Sequence, residues 1–327
     1  MIPVRIEVSS PEGEPLTNPS LCYARARHAS TPFRARLNVM RARCDSLLVE
    51  TDWLAARLDD PRLRVVDIRG IIKPPDQPKP WYLAQREAYL ETHIPGAVFI
   101  DWTDDIVEPV APIHMTLAGP ARFKALMERL GIGDGHAVVV YDDTGGLAPR
   151  LWWALNYYGH GDVSILNGGW LKWRAEGRPV TADLPRHPPA VFTPRVQPGW
   201  RVGTAEVRAA MGNGTAALVD CRHPREFAGE IGRGERKGRI PSAVNVPVAR
   251  FFNADDRTWK NPPEIRKMFE AAGVTPGRRV ITYCNAGVSA AVGLFALKLL
   301  HYPDAANFAG SWYEWEADPA NPVQTGA

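Results

Sequence analysis

Short runs of apolar residues alternate along this chain with stretches in which apolar positions recur every three or four residues. The runs predict buried strands at residues 65–68, 98–100, 138–141 and 163–166, and again at 218–221, 244–246, 280–283 and 305–308. The longer-period stretches predict helices at 51–58, 121–130 and 151–158, then at 204–211, 263–272 and 289–300. Continuous apolar strands alternating with helices indicate α/β architecture, with mostly parallel sheets covered on both faces.

The pattern occurs twice. Val65-Val66-Asp67-Ile68-Arg69 answers to Leu218-Val219-Asp220-Cys221-Arg222, and His93-Ile94-Pro95-Gly96-Ala97-Val98 to Arg239-Ile240-Pro241-Ser242-Ala243-Val244. Ala137-Val138-Val139-Val140-Tyr141 answers to Arg279-Val280-Ile281-Thr282-Tyr283, and Gly168-Gly169-Trp170 to Gly310-Ser311-Trp312. Four anchors in the same order mark a duplicated domain. The expected organisation is an N-terminal extension over residues 1–44, a first copy over 45–177, a connector over 178–200 and a second copy over 201–327. Six prolines between residues 177 and 200, without periodicity, predict an extended connector.

Composition narrows the function. The net charge of +3 is uneven: residues 1–43 hold seven arginines against Glu7, Glu12 and Glu14, which leaves the rest near neutral. A near-neutral body lacks the basic face that nucleic-acid binding needs. No apolar run approaches the roughly 18 residues of a membrane span. The four cysteines show no paired spacing, so neither a disulfide framework nor a zinc site is expected, nor any other cofactor, and a reducing, cytoplasmic setting fits. Residues 15–43 are free of acidic side chains, as in an organelle transit peptide; a tail, or a start at Met40, are the alternatives.

The chemistry concentrates in Tyr283-Cys284-Asn285-Ala286-Gly287-Val288-Ser289-Ala290, where a buried strand runs through a one-glycine loop into an apolar helix. Ligands of open α/β sheets bind beyond the carboxyl ends of strands, where Cys284 falls. The amides of Asn285, Ala286, Gly287, Val288 and Ser289 can curl around an anion there, with the helix start adding partial positive charge. A thiolate or persulfide is thereby favoured, provided that solvent reaches the side chain. Cys221 ends a strand whose counterpart is Ile68 and predicts packing instead.

From about residue 45 to 326 the chain resembles the tandem-domain rhodaneses, the thiosulfate and 3-mercaptopyruvate sulfurtransferases. The motifs are His93-Ile94-Pro95-Gly96-Ala97, the Cys284–Ala290 loop, and Gly310-Ser311-Trp312-Tyr313-Glu314-Trp315 followed by Pro322-Val323-Gln324-Thr325-Gly326. The resemblance implies two rhodanese-like domains, only the second with a nucleophile; Asp142 stands opposite Cys284. It also implies ping-pong transfer through a Cys284 persulfide, from a small anionic sulfur donor to a thiol, cyanide or protein-cysteine acceptor.

Thiosulfate-type loops are basic and mercaptopyruvate-type loops carry serine where Ala286 stands, so neither pattern is complete. The arginine that precedes an aromatic in the mercaptopyruvate type is replaced by Glu226 before Phe227, which leaves Arg225, Arg222 and Arg239 as donor-binding candidates. For Arg222, whose repeat partner is Arg69, a structural ion pair is the alternative. A Cys-x5-Arg phosphatase is disfavoured because the required arginine is Ala290. A non-catalytic scaffold is the remaining class.

Overall fold

The computed structural model describes residues 46–326; the N-terminal extension, Cys22 and Cys44 lie outside them. In the first half, β1 (Leu48–Val49), α1 (Thr51–Ala55) and β2 (Leu63–Asp67) are followed by a hairpin of β3 (Gly70–Ile72) and β4 (Tyr82–Ala84). Then come α2 (Arg86–Glu91), β5 (Ala97–Phe99), α3 (Pro120–Arg129), β6 (Ala137–Tyr141), α4 (Ala148–Tyr157), β7 (Val163–Leu166) and α5 (Gly169–Ala175). The second half runs β8 (Arg201–Val202), α6 (Thr204–Ala210), β9 (Ala216–Asp220), α7 (Pro224–Ala228), β10 (Val244–Asn245) and α8 (Pro262–Ala271). It finishes with β11 (Arg279–Tyr283), α9 (Val288–Leu299), β12 (Ala305–Phe308) and α10 (Ser311–Ala317).

The two main sheets have orders β1-β7-β6-β2-β5 and β8-β12-β11-β9-β10, and every pairing in them is parallel. The orders coincide position for position under the repeat. Strands β2, β6 and β9 are buried at every residue, which is why they read as mostly apolar runs, broken only by Arg64 and Asp67 in β2 and Asp220 in β9.

A three-residue polar unit recurs at the same place in each copy. Asp67 takes the Arg69 guanidinium at 2.9 Å and the Tyr141 hydroxyl at 2.6 Å, and that hydroxyl also accepts the Ile94 amide. Asp220, Arg222, Tyr283 and Ile240 repeat the arrangement, with Arg222 on Asp220 at 2.6 Å and the Ile240 amide on the Tyr283 hydroxyl. Fully buried charges of this kind persist only when paired and hydrogen-bonded. They lock the β2–β5 and β9–β10 corners.

The halves meet through α4 and α9. Trp152 of α4 sits edge-on to Phe295 of α9 at 4.8 Å, and Trp259 packs at a tilt against Phe295 at 4.9 Å. Helix α9 is apolar nearly all round because it is covered on all sides, with Ala290 through Leu297 buried. Burying Phe295 and Trp152 in this seam stabilises the contact by about 2 kcal/mol per side chain. The connector runs extended over the first half, anchored where Phe192 is buried against Phe123. No helix among the described residues is long and apolar enough to cross a membrane.

Candidate active site

Cys284 follows β11 directly, and Gly287 turns the chain into α9. Gly287 has φ +73°, and a Cβ there would lie 2.4 Å from the Ala309 carbonyl oxygen, so both the turn and the close approach demand glycine. Behind the loop, the Cys284 amide donates to the Ser311 hydroxyl at 3.0 Å and its carbonyl accepts the Trp312 amide at 2.9 Å. The same strand–loop–helix joint in the first half shows what the loop backbone does. There the Asp142 carboxylate accepts the amides of Thr144 at 2.8 Å, Leu147 at 2.5 Å and Ala148 at 2.6 Å, and the Gly145 amide as well. Counting from Cys284, the corresponding amides are those of Ala286, Gly287, Ser289 and Ala290. The first amides of a helix have no intrahelical acceptor, so Ser289 and Ala290 have donors to offer.

Cys284 lines a cavity of about 670 Å³ together with Asn285, Ala286, Val288 and Ser289. Gly287 belongs to the loop but not to the cavity wall. The side chain is only 3 % exposed, so the route to it runs through this cavity and not across an open surface. The cavity has two owners. The second half supplies Arg222, Arg225, Glu226 and Arg233; the first half supplies Lys73, Asp76 and Tyr82 from the hairpin. Asn285 is held by its side-chain amide, which donates to the buried Glu226 at 2.8 Å.

The three arginines expected from the sequence have different surroundings. Arg222 touches the cavity, but its guanidinium is 2 % exposed and spent on Asp220 and the Gly238 carbonyl. Burial would lower its pKa, but Asp220 outweighs that and raises it. The net direction is upward. Arg239 is not among the lining residues: it lies over the Phe227 ring and donates to the carbonyls of Phe227 and Gly326. Arg225 lines the cavity, half-exposed, with Glu230 at 3.1 Å and Asp76 of the other half at 3.9 Å.

The cation that the sequence did not single out is Arg233. It lies over Trp81 and Tyr82 and donates to the Lys73 carbonyl at 2.5 Å, while Nε and Nη1 are buried without an acceptor. No local pattern marks it, since the hairpin it packs on is some 160 residues away in sequence. Tyr82 and Tyr313 share a hydroxyl contact at 3.1 Å beside it, and burial pushes both phenols up. Cys221 is fully buried against Gly293, where a Cβ would come within 2.5 Å of its sulfur, and burial pushes its thiol well up.

A rhodanese-like domain matches twice, over residues 50–176 and 203–318. The chain is 35% identical over 283 residues to the sulfur carrier protein TtuD of Thermus thermophilus, covering 82% of this chain and 93% of that protein. Bovine thiosulfate sulfurtransferase is 35% identical over 279 residues, covering 82% of this chain and 91% of its own. The crystal structure of SseA, a 3-mercaptopyruvate sulfotransferase of Escherichia coli, superposes with a TM-score of 0.73 at 31% identity, over 82% of this chain and 99% of that one. With the domain present twice, with matching sheets, and with relatives aligned along most of their length, this chain belongs to the rhodanese family.

Proposed function

We propose that Cys284 carries sulfur as a persulfide, taking it from a small anionic donor and passing it to a thiol, cyanide or protein-cysteine acceptor. Sulfur transfer is the function common to the named relatives and to this chain. One observation carries the assignment to Cys284. The loop that in the first half wraps four amides around a carboxylate carries, at the equivalent position in the second, a free cysteine on a cavity wall.

The steps follow from that arrangement. The Cys284 thiolate attacks the outer sulfur of the donor and forms an S–S bond. The donor's bond to that sulfur breaks and its electron pair leaves with the remainder, as sulfite from thiosulfate or as the enolate of pyruvate, which takes a proton, from 3-mercaptopyruvate. The acceptor's nucleophile then attacks the outer sulfur and the Cys284 thiolate departs. Amides of Ala286, Gly287, Ser289 and Ala290 stabilise the anion in each state, as donors preorganised in a site shielded from water. Arg233, with two unsatisfied donors, holds the donor's anionic group, with Arg225 and Lys73 at the rim. Phosphoryl transfer is not supported, because Ala290 supplies no guanidinium to grip a phosphate.

Intact mass after incubation with thiosulfate or with 3-mercaptopyruvate tests this directly. Wild type gains one sulfur from at least one donor, Cys284→Ser gains none, and Arg233→Gln needs about tenfold or more donor to reach the same labelling. Labelling of Cys284→Ser at the wild-type level sinks the assignment.

A further inference from the structure

Arg150 is a cation of the first half with no anion beside it. It sits on α4, 1 % exposed, with its guanidinium 4.8 Å from the centre of the Trp153 ring. Nη2 donates to the Met115 carbonyl at 2.8 Å, and Nη1 reaches the Gly287 carbonyl of the cysteine loop at 3.4 Å. Nε is buried with no partner, and among the described residues no carboxylate forms an ion pair with this side chain. Arg69 and Arg222, equally buried, each sit on an aspartate. A buried guanidinium without a counter-charge is costly, and a fold keeps one only where something offsets it.

The repeat sharpens the anomaly. Arg150 stands eight residues after Asp142, and the residue eight after Cys284 is Val292, apolar and fully buried. The cation is therefore supplied in one direction only, from the half without a nucleophile to the loop that has one. The Gly287 carbonyl is gripped from a second side by the Asn307 side-chain amide at 3.1 Å. Because the peptide unit is planar, a held carbonyl fixes the plane between Gly287 and Val288 in the middle of the loop.

We infer that Arg150 is the counter-charge of the Cys284 sulfur anion and, with Asn307, the residue that positions its loop, so that the first half contributes electrostatically to the chemistry of the second. The inference rests on the reading of Cys284 as the nucleophile. Burial, partly offset by the charge of Cys284, leaves Arg150 lowered to about 10, still charged at neutral pH. The other groups that bear on the pair are Arg201 and Tyr158, facing Arg150, and Tyr82, Tyr313 and Cys221, facing Cys284, with Arg222, His223, Arg225, Glu226, Arg233, Lys73 and Asp76 on the wall of the same cavity. Burial holds Tyr82, Tyr313 and Cys221 neutral, Arg222 is paired with Asp220, and Arg150 is hydrogen-bonded to the loop backbone itself.

The test is the rate of alkylation by iodoacetamide, read at the Cys284 peptide by mass, in Arg150→Met, Arg150→Gln and Arg150→Lys. Both neutral variants should react about tenfold more slowly than wild type near pH 7 and converge with it near pH 10, while the lysine variant stays within about twofold throughout. Folded neutral variants, judged by circular dichroism and melting, that alkylate at the wild-type rate overturn the inference. Failure of both neutral variants to fold overturns it too, since Arg150 would then be a structural prop. Sulfur uptake by Cys284→Ser is the separate check on the underlying reading; it fails or holds whatever Arg150 does to alkylation.

Discussion

The loops after β6 and after β11 share a backbone course and differ in what occupies it. In the first, the Asp142 carboxylate reaches back and takes four amides of its own loop, so the cradle is closed by a tethered anion. In the second, cysteine is shorter, and on the proposed reading the equivalent amides serve a sulfur atom that arrives and departs. The comparison separates two properties that a single copy would confound. The anion-holding geometry belongs to the fold, whereas turnover belongs to the side chain and to the cavity in front of it. If the proposal holds, the first loop with its bound carboxylate pictures the second loop when loaded.

That equivalence can be broken in three places. The largest effect is expected for Cys284→Asp, which copies the first loop into the second. Turnover should fall by about three orders of magnitude or more, as for loss of a covalent nucleophile. Its carboxylate should also capture the loop amides, so this variant should unfold about 1–2 kcal/mol above Cys284→Ser in urea titrations. If it unfolds below the serine variant, the two loops are not the same cradle.

Next is Asp142→Ala, which strands four donors in a buried loop. A loss of about 3 kcal/mol is expected in the same titration, with sulfur uptake at Cys284 retained while the protein is folded. A loss under about 0.5 kcal/mol means that the carboxylate is dispensable to the loop.

The smallest effect concerns the next position, Asp143 in one loop and Asn285 in the other. Burial, then the nearby carboxylates of Asp142 and Asp67, push Asp143 up to about 6 against the pull of Arg69. A carboxyl whose folded pKa is raised binds protons more readily folded than unfolded, so it costs stability as pH climbs from about 4 to above 6. Asp143→Asn should therefore stabilise by about 1 kcal/mol near pH 7.5, discounted because the side chain is only partly buried, and by nothing near pH 4. A stabilisation independent of pH would contradict this assignment.

Legibility followed how local the signal was. Strands β2, β6, β7, β9, β11 and β12 were readable because buried parallel strands are mostly apolar runs. The two-residue edge strands β1 and β8 were not, whereas β10, equally short, was found because it follows the repeated Ile-Pro motif. The β3–β4 hairpin hides behind a proline-rich stretch, Pro74 to Pro80, that reads as a loop. The first predicted helix is shorter in fact, ending at Ala55. The strand, glycine turn and helix around Cys284 were legible since they are consecutive in sequence. The structural part played by Arg222 was also visible, through its partner Arg69 in the copy without a nucleophile. Arg233, Lys73, Tyr82 and Arg150 could not be found in this way. Each acquires its meaning only when the two halves close around one cavity.

If Cys284 is the sulfur carrier, its 3 % exposure limits what can reach it. A broad protein face cannot touch it. An acceptor would then have to be slender, a free small molecule or a cysteine on a projecting tail, and it would meet hairpin residues of the other half on the cavity wall.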